Sequence, residues 1–334
     1  MAKMIDVARL AGVSVATVSR VLAGSAHVSR ETREKVLRAM ADLDYKPNLL
    51  ARNLRKMESK TIVVVIPDIS NPFFSDVIRG IQHVAKEHGY HVLLGDTQND
   101  VDAEWDFIEM IKERAADGVI LVTARTSPEK IMEMAQEVPL VMACEYIQGA
   151  ELPMVTIDNV ISAKRVVDHL AALGHRRIGF IAGPLHVIIS RDRLQGFVLG
   201  LREHGLEQDS SLIVEGDFSI PSGYDQAVRL LQLPEPPTAI FASNDEMAIG
   251  AVKAVKQMGL KVPQDVAVVG FDDIPMATVI EPALTTICQP KFEIGKKAME
   301  ILLQLIQQSN RSHGHLKLPE KLIVRDSCGG RLKG

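Results

Sequence analysis

From residue 61 onward, short apolar runs alternate with amphipathic stretches. The runs are "TIVVVIP", "YHVLLGD", "DGVILVT", "PLVMAC", "MVTID", "RRIGFIAG", "SLIVEGD", "TAIFAS", "VAVVGF", "LTTICQ" and "EKLIVRDS". Most are continuous in Val, Ile and Leu, the pattern of parallel strands covered on both faces. Between them lie helical stretches, among them "FSDVIRGIQHVAKEHG", "ISAKRVVDHLAALG", "RLQGFVLGLREHG" and "NDEMAIGAVKAVKQMG". Each ends in glycine, which closes a helix in the left-handed conformation at little steric cost. The alternation predicts a doubly wound α/β fold. Roughly eleven strands exceed one comfortable sheet, so two subdomains are expected.

The first 46 residues follow a different pattern. "MIDVARLAGVSVATVSRVLAG" reads as two short helices with a tight turn at Gly12. Ile5, Val7 and Ala8 supply the apolar face of the first. Ser14 is a suitable N-cap for the second, which turns Val18, Val21 and Leu22 inward and shows Val15, Ala16, Ser19 and Arg20 on its other face. Gly24 closes it. A third helix follows Ser29 and buries Val36, Met40 and Leu43. Two helices joined by a Gly-containing turn, with small residues opening the second, fit a helix-turn-helix; a plain three-helix bundle is the alternative.

Charge favours the first reading. Residues 1–60 carry 12 Lys and Arg against 6 Asp and Glu, net +6, which leaves net −10 for the remainder of a chain whose total is −4. A basic head on an acidic body points to a polyanion partner. Residues 47–59, "PNLLARNLRKMES", read as a helix of about two turns, too short to be stable alone in water. Nucleic acid could order it: Arg52, Arg55 and Lys56 can neutralise phosphates, while a leucine wedges between base pairs in the minor groove.

The three cysteines, Cys144, Cys288 and Cys328, form no CxxC and no metal spacing, which suits a reducing cytoplasm. No secretory signal and no run of about 18 apolar residues occur. There is no GxSxG, P-loop, GxGxxG after a strand or HExxH, so an enzyme is not expected, and no cofactor or metal is called for. "SHGH", with His313 and His315, reads as a polar loop.

In a doubly wound fold, ligands sit beyond the carboxyl ends of the strands. Just after strands stand Phe73 and Phe74 of "NPFF", Glu145 with Tyr146, Arg193, Phe218, Asn244 with Asp245, Asp272 with Asp273, and Gln289. Several have structural alternatives. Phe73 and Phe74 could be core, Arg193 could serve an ion pair, and Asp158 and Asp245 could cap helices. Asp272, a carboxylate after the buried "VAVVGF" strand, must meet a partner, and a polyol can supply it.

"IDVARLAGVSVATVSRVL" resembles the DNA-binding head of the LacI/GalR family of bacterial repressors, and the match covers the whole helix-turn-helix without a gap. "GHRRIGFIAGP", "RLQGF", "PPTAIFASNDEMAIGA", "VPQDVAVVGFDD" and "PALTTICQP" match blocks of the family's core, which is itself similar to periplasmic sugar-binding proteins. The resemblance implies a homodimeric, cytoplasmic repressor that binds pseudo-palindromic double-stranded operator DNA under control of a small effector. It implies a helix-turn-helix domain at 1–46, a hinge helix and linker at 47–59 and an effector-binding and dimerisation core at 60–334. The core would comprise an N-subdomain (about 60–159 and 290–320) and a C-subdomain (about 160–289 and 321–334).

Position by position, the resemblance places Ser14, Val15, Ala16, Thr17, Ser19 and Arg20 at the DNA, with Thr17 and Ser19 on phosphate and Arg20 suited to guanine O6 and N7. Asn48, Arg52, Leu54 and Arg55 fall in the hinge, and Leu54 aligns with its intercalating leucine. Phe73, Phe74, Glu145, Tyr146, Arg193, Phe218, Asn244 and Asp272 fall at the effector. "VVIPDISNPFFSDVIRGI", "LPMVTIDN", "LPEPPTAIF" and "QPKFEIG" are most similar to the family's cytidine-responsive branch, which implies a nucleoside effector and cooperation with the cyclic-AMP receptor protein. A free pentose or hexose is the alternative. Val187 and Ile189 stand where the purine-responsive members carry base-reading polar residues. Val15 departs from the Thr expected of the cytidine branch and matches sugar-responsive members.

Overall fold

The computed structural model describes residues 2–22, 27–45, 59–112, 116–307 and 314–330. The chain divides into two compact units, residues 1–59 and 60–334.

In the first unit, α1 (Met4–Ala11) ends at Gly12, whose φ of 65° returns its N–H to the last carbonyls of the helix. α2 (Val15–Leu22) starts at Ser14, whose Oγ accepts the Thr17 N–H at 3.1 Å. α3 (Arg30–Asp42) is capped in the same way by Ser29, which accepts from Thr32 at 3.2 Å. Val7, Ala8, Val18, Val21, Val36 and Ala39 form the core. Ile5, expected to face inward, is 54% exposed. The buried stripe of α1 runs instead through Met4, Val7, Ala8 and Ala11, the i, i+3, i+4, i+7 set that leaves Ile5 to one side. Gly24 and the hinge residues Asn48, Arg52, Leu54 and Arg55 lie outside the described residues.

The second unit begins with β1 (Thr61–Ile66), α4 (Phe73–Glu87), β2 (His91–Asp96), α5 (Val101–Lys112), β3 (Gly118–Leu121), α6 (Pro128–Glu137), β4 (Leu140–Ala143) and β5 (Met154–Thr156). It continues through α7 (Asn159–Ala172), β6 (Ile178–Ala182), α8 (Ile188–Glu203), β7 (Ile213–Glu215), α9 (Ile220–Leu231), β8 (Ala239–Ala242), α10 (Asp245–Gln257) and β9 (Ala267–Val269). The last elements are α11 (Met276–Val279), β10 (Thr286–Cys288), α12 (Lys291–Gln307), β11 (His315–Lys317) and β12 (Lys321–Ile323).

One sheet has the order β11-β5-β4-β3-β1-β2 and the other β7-β6-β8-β9; β10 pairs with β12. All pairings within the two larger sheets are parallel.

Side chains alternate across each sheet, which explains why its strands are apolar throughout. Ile62, Val64 and Ile66 of β1 cluster with Val77 and Ile81 of α4 and with Leu302 of α12. Val63 and Val65 cluster with Ile108 of α5 and Met134 of α6. In the second sheet, Phe180 packs towards Phe197 of α8, while Ile181 joins Leu230 of α9 and Ala251 of α10. Each sheet is thus covered by helices on both faces. His315, expected in a polar loop, opens the edge strand β11, which pairs with β5; His313 lies outside the described residues.

Helix pairs approach closely at glycine. A Cβ on Gly80 of α4 would overlap the Phe292 carbonyl of α12, and one on Gly295 of α12 would overlap the Val77 carbonyl of α4. Those obstacles are backbone, which can yield only if the helices part. Gly295→Ala is therefore expected to destabilise the second unit by about 2 kcal/mol in urea denaturation, overpacking outweighing the gain in helix propensity. Unchanged or raised stability would contradict this packing.

Candidate functional site

The carboxyl ends of the two sheets enclose a cleft of about 320 Å³ within the second unit, a volume suited to a small ligand. Each wall is built mainly from residues in the loops and helices that follow strands. On the first wall, Asp68 and Asn71 follow β1, Arg125 follows β3 and Glu145 follows β4. Phe73 and Phe74 also line it, although both are buried and meet edge to face with ring centroids 5.2 Å apart. They serve as core and as wall.

On the second wall, Arg193 projects from α8 and is 3% exposed. Its Nε donates to Asn159 Oδ1 at 3.0 Å, its Nη1 donates to the Ser243 carbonyl, and its Nη2 lies 3.7 Å from Asp272 Oδ1. The guanidinium also sits 3.8 Å from the Phe271 ring centroid. Burial pulls Arg193 below its ordinary value, opposed by Asp272 and Glu145, and guanidinium remains charged. Asp272 accepts from Gln289 Nε2 at 2.7 Å, and Lys291 Nζ donates to its backbone carbonyl at 2.6 Å.

Asn244, rather than Asp245, caps α10: its Oδ1 accepts the Met247 N–H at 2.9 Å. Its Nδ2 donates to the Phe218 carbonyl at 2.8 Å. Asp245 is the first residue of α10, fully buried, and accepts from Thr286 Oγ1 at 2.6 Å and Ile274 N–H at 2.8 Å. Asp158 does cap α7, accepting from Ile161. Phe218 and Asp272 both hold left-handed backbone, with φ of 72° and 118°, an unfavourable conformation for residues with a Cβ and one that clusters at ligand sites. A Cβ on Gly183 would overlap the Phe218 ring, so glycine there makes room for that ring.

Of the sequence-predicted effector residues, Phe73, Phe74, Glu145, Arg193, Phe218, Asn244 and Asp272 are brought together at the cleft. Tyr146 is not among the residues lining it. It follows Glu145, turns the other way, and donates its hydroxyl to Asp192 Oδ1 at 3.0 Å. Burial and Asp192 push that phenol up to about 12. Ile189 faces the cleft, whereas Val187 is buried at the start of α8. Arg125 was missed by sequence reasoning, although its place just after β3 is the same signal that marked Glu145.

Burial raises the Asp272 carboxyl to about 6, against the opposing charges of Arg193 and Lys291. Glu246, also lining the cleft, is raised to about 7 by burial and by Asp272. Effector hydroxyls donating to ionised Asp272 should therefore bind more weakly as pH falls through 6. From Asp272 alone, affinity should drop about fourfold at pH 5.5 and about tenfold at pH 5.0. Unliganded stability should move the other way. A carboxyl whose folded pKa lies above its unfolded one opposes folding at neutral pH, and that opposition is relieved between about pH 6 and 4. Calorimetry and urea denaturation of wild type against Asp272→Asn isolate both trends; a wild-type affinity flat to pH 5 would contradict the first, and a stability that does not rise towards pH 4 relative to Asp272→Asn would contradict the second.

In the head, Val15, Ala16 and Arg20 are exposed on α2 and Ser14 is exposed at its start. Thr17 is half-buried, its hydroxyl bonded to Ser14 Oγ at 2.9 Å, and Ser19 is half-buried. The second helix of the motif thus presents Val15, Ala16 and Arg20 to the outside while Val18 and Val21 hold it to the head. No helix among the described residues is long and apolar enough to cross a membrane.

Residues 3–48 match the model of bacterial regulatory proteins of the lacI family, and residues 167–328 match the periplasmic binding protein-like domain. The chain is 43% identical to the HTH-type transcriptional repressor CytR of Escherichia coli (strain K12), over 98% of this chain and 96% of that protein. It is 36% identical to the ribose operon repressor of Haemophilus influenzae, over 98% of each. Among solved structures it is similar to the Lac repressor dimer bound to operator and the anti-inducer ONPF, with a TM-score of 0.89 at 31% identity, over 98% of this chain and 99% of that one. The chain belongs to the lacI family of bacterial regulatory proteins and is a DNA-binding transcriptional repressor, not an enzyme.

Proposed function

We propose that this repressor acts in the cytoplasm as a homodimer on a pseudo-palindromic operator and that a nucleoside, cytidine foremost, sets its DNA affinity from the cleft. The observation that carries the reading is the pairing of an aromatic shelf with a hydroxyl-binding group in one small cavity. Phe218, with Phe73 beside it in the lining, offers aromatic surface for a planar base; Arg193, Asp272 and Gln289 offer the charged and amide groups a ribose needs. The resemblance of "VVIPDISNPFFSDVIRGI" and "QPKFEIG" to the family's cytidine-responsive branch supports the same ligand class. Val15, Ala16 and Arg20 read base edges in the major groove, Thr17 and Ser19 meet phosphate, and Leu54 wedges the minor groove between paired hinges.

A second reading is a free pentose, favoured by the likeness to a ribose operon repressor. Calorimetric titration of the full-length protein with cytidine, uridine, adenosine, ribose and several hexoses separates the two. Cytidine should bind and ribose should be silent. Binding of a sugar alone would overturn the nucleoside reading and leave the DNA-binding one intact.

A further inference from the structure

We infer that Arg125 and Glu145 form a base-reading edge on the first wall of the cleft and that the edge they fit is that of cytosine. The inference rests on the nucleoside reading above and specifies which atoms select the base.

The two residues follow adjacent central strands, β3 and β4, and both line the cavity. They are paired twice, Arg125 Nη1 to Glu145 Oε2 at 2.8 Å and Nη2 to Oε1 at 3.3 Å. Their side chains are only 12% and 6% exposed. An ion pair so far from water gives little net stability over apolar residues of the same size, so the fold alone supplies no reason for it.

The pair is also incomplete. Among the described residues, Arg125 Nε is buried without a hydrogen-bond partner, an arrangement that costs free energy until an acceptor arrives. Its loop, by contrast, is fixed in advance. The buried Glu104 carboxylate on α5 accepts the Arg125 N–H at 3.0 and 2.9 Å and the Thr126 N–H at 2.8 Å. Nη1 is spent on Glu145 and the Ala124 carbonyl, while Nε and Nη2 each keep one N–H to spare, so a fixed backbone holds two adjacent donors next to a carboxylate that only accepts.

The pyrimidine edges can be compared with that array. Cytosine presents the N4 amino donor beside two acceptors, N3 and O2; a carboxylate accepts from N4 while a guanidinium donates to the other two. Uracil reverses the first two positions, presenting O4 to the carboxylate and N3–H to the guanidinium, so both contacts become repulsive or unsatisfied. Adenine offers an amino group and one acceptor, N1, but no second acceptor. With the base on this wall, the sugar is left to Arg193, Asp272 and Gln289 on the other.

The test is calorimetry on the full-length protein with cytidine, uridine, the pyrimidin-2-one riboside that lacks the 4-amino group, and ribose. Wild type should favour cytidine over uridine by about 100-fold or more and over the pyrimidin-2-one riboside by about tenfold or more. Glu145→Gln should shrink the cytidine-to-uridine ratio to below about tenfold, because an amide can turn either its donor or its acceptor to the base. Arg125→Lys, which keeps the charge but loses the planar fork, should shrink it as well. An unchanged ratio in both variants, with thermal unfolding confirming that they fold, would overturn the inference. So would equal wild-type affinity for cytidine and the pyrimidin-2-one riboside, a comparison that needs no variant. In either case tight cytidine binding would leave the nucleoside reading standing, whereas ribose binding as tightly as cytidine would remove that reading itself.

Discussion

Arg193→Met is expected to cost the second unit about 3–5 kcal/mol and to abolish effector binding, since removing one member of a buried charged pair strands the other. Methionine fills much of the space over the Phe271 ring but makes none of the bonds to Asn159 and the Ser243 carbonyl. Asp272 would keep Gln289 as its hydrogen-bond donor but lose the guanidinium that opposes its protonation. Its carboxyl would then take up a proton more readily, and the charged acceptor offered to effector hydroxyls would be weakened as the donor is lost. Urea denaturation reads the stability and calorimetry the binding. Adding Asp272→Asn to Arg193→Met should restore part of the stability and none of the binding, because the stranded charge is gone but the site is not rebuilt. A stability loss below about 1 kcal/mol would show that the pair is dispensable to the fold.

Arg20→Ala is expected to lower operator affinity by up to about 100-fold, the upper range for one bidentate contact to guanine. Arg20 is exposed on α2, so folding stability should be unchanged. The variant also separates two kinds of contact. Losing a base contact narrows the preference for operator over unrelated DNA, whereas losing a phosphate contact weakens both alike and lowers the salt slope by about one. Fluorescence anisotropy on operator and scrambled duplexes across a salt series distinguishes them. A uniform loss with a reduced salt slope would move Arg20 from base reading to phosphate.

What the sequence made legible follows from where the chain is buried. The central strands β1, β3, β4, β6 and β8 are covered on both faces and flanked by neighbours, so each is an uninterrupted apolar run that admits little else. β11 is three residues long, lies at a sheet edge and begins with an exposed histidine, so no periodicity announces it. Glycine ends of helices were equally readable: Gly89, Gly174, Gly205 and Gly259 all hold positive φ.

The cleft was legible to the level of residues that follow strands, since topology puts those carboxyl ends together. Side-chain direction was not. Glu145 and Tyr146 are adjacent and both follow β4, yet one faces the cavity and the other bonds Asp192. Which of Asn244 and Asp245 caps α10 depends on where the helix starts by a single residue, a margin that pattern cannot resolve. Ile5 failed for a similar reason, because an eight-residue helix has room for two overlapping apolar stripes and only packing chooses between them.

The proposed function requires the effector cleft and the DNA-binding head to be coupled within one molecule. The most direct test measures cytidine affinity of the full-length protein twice, alone and saturated with an operator duplex selected from a random-sequence pool. Cytidine should change operator affinity by about fivefold or more, and operator should change cytidine affinity by the same factor, as linkage between two sites requires. Cytidine binding with identical affinity in both states would contradict the account, because a ligand that does not distinguish the two states cannot move the repressor between them.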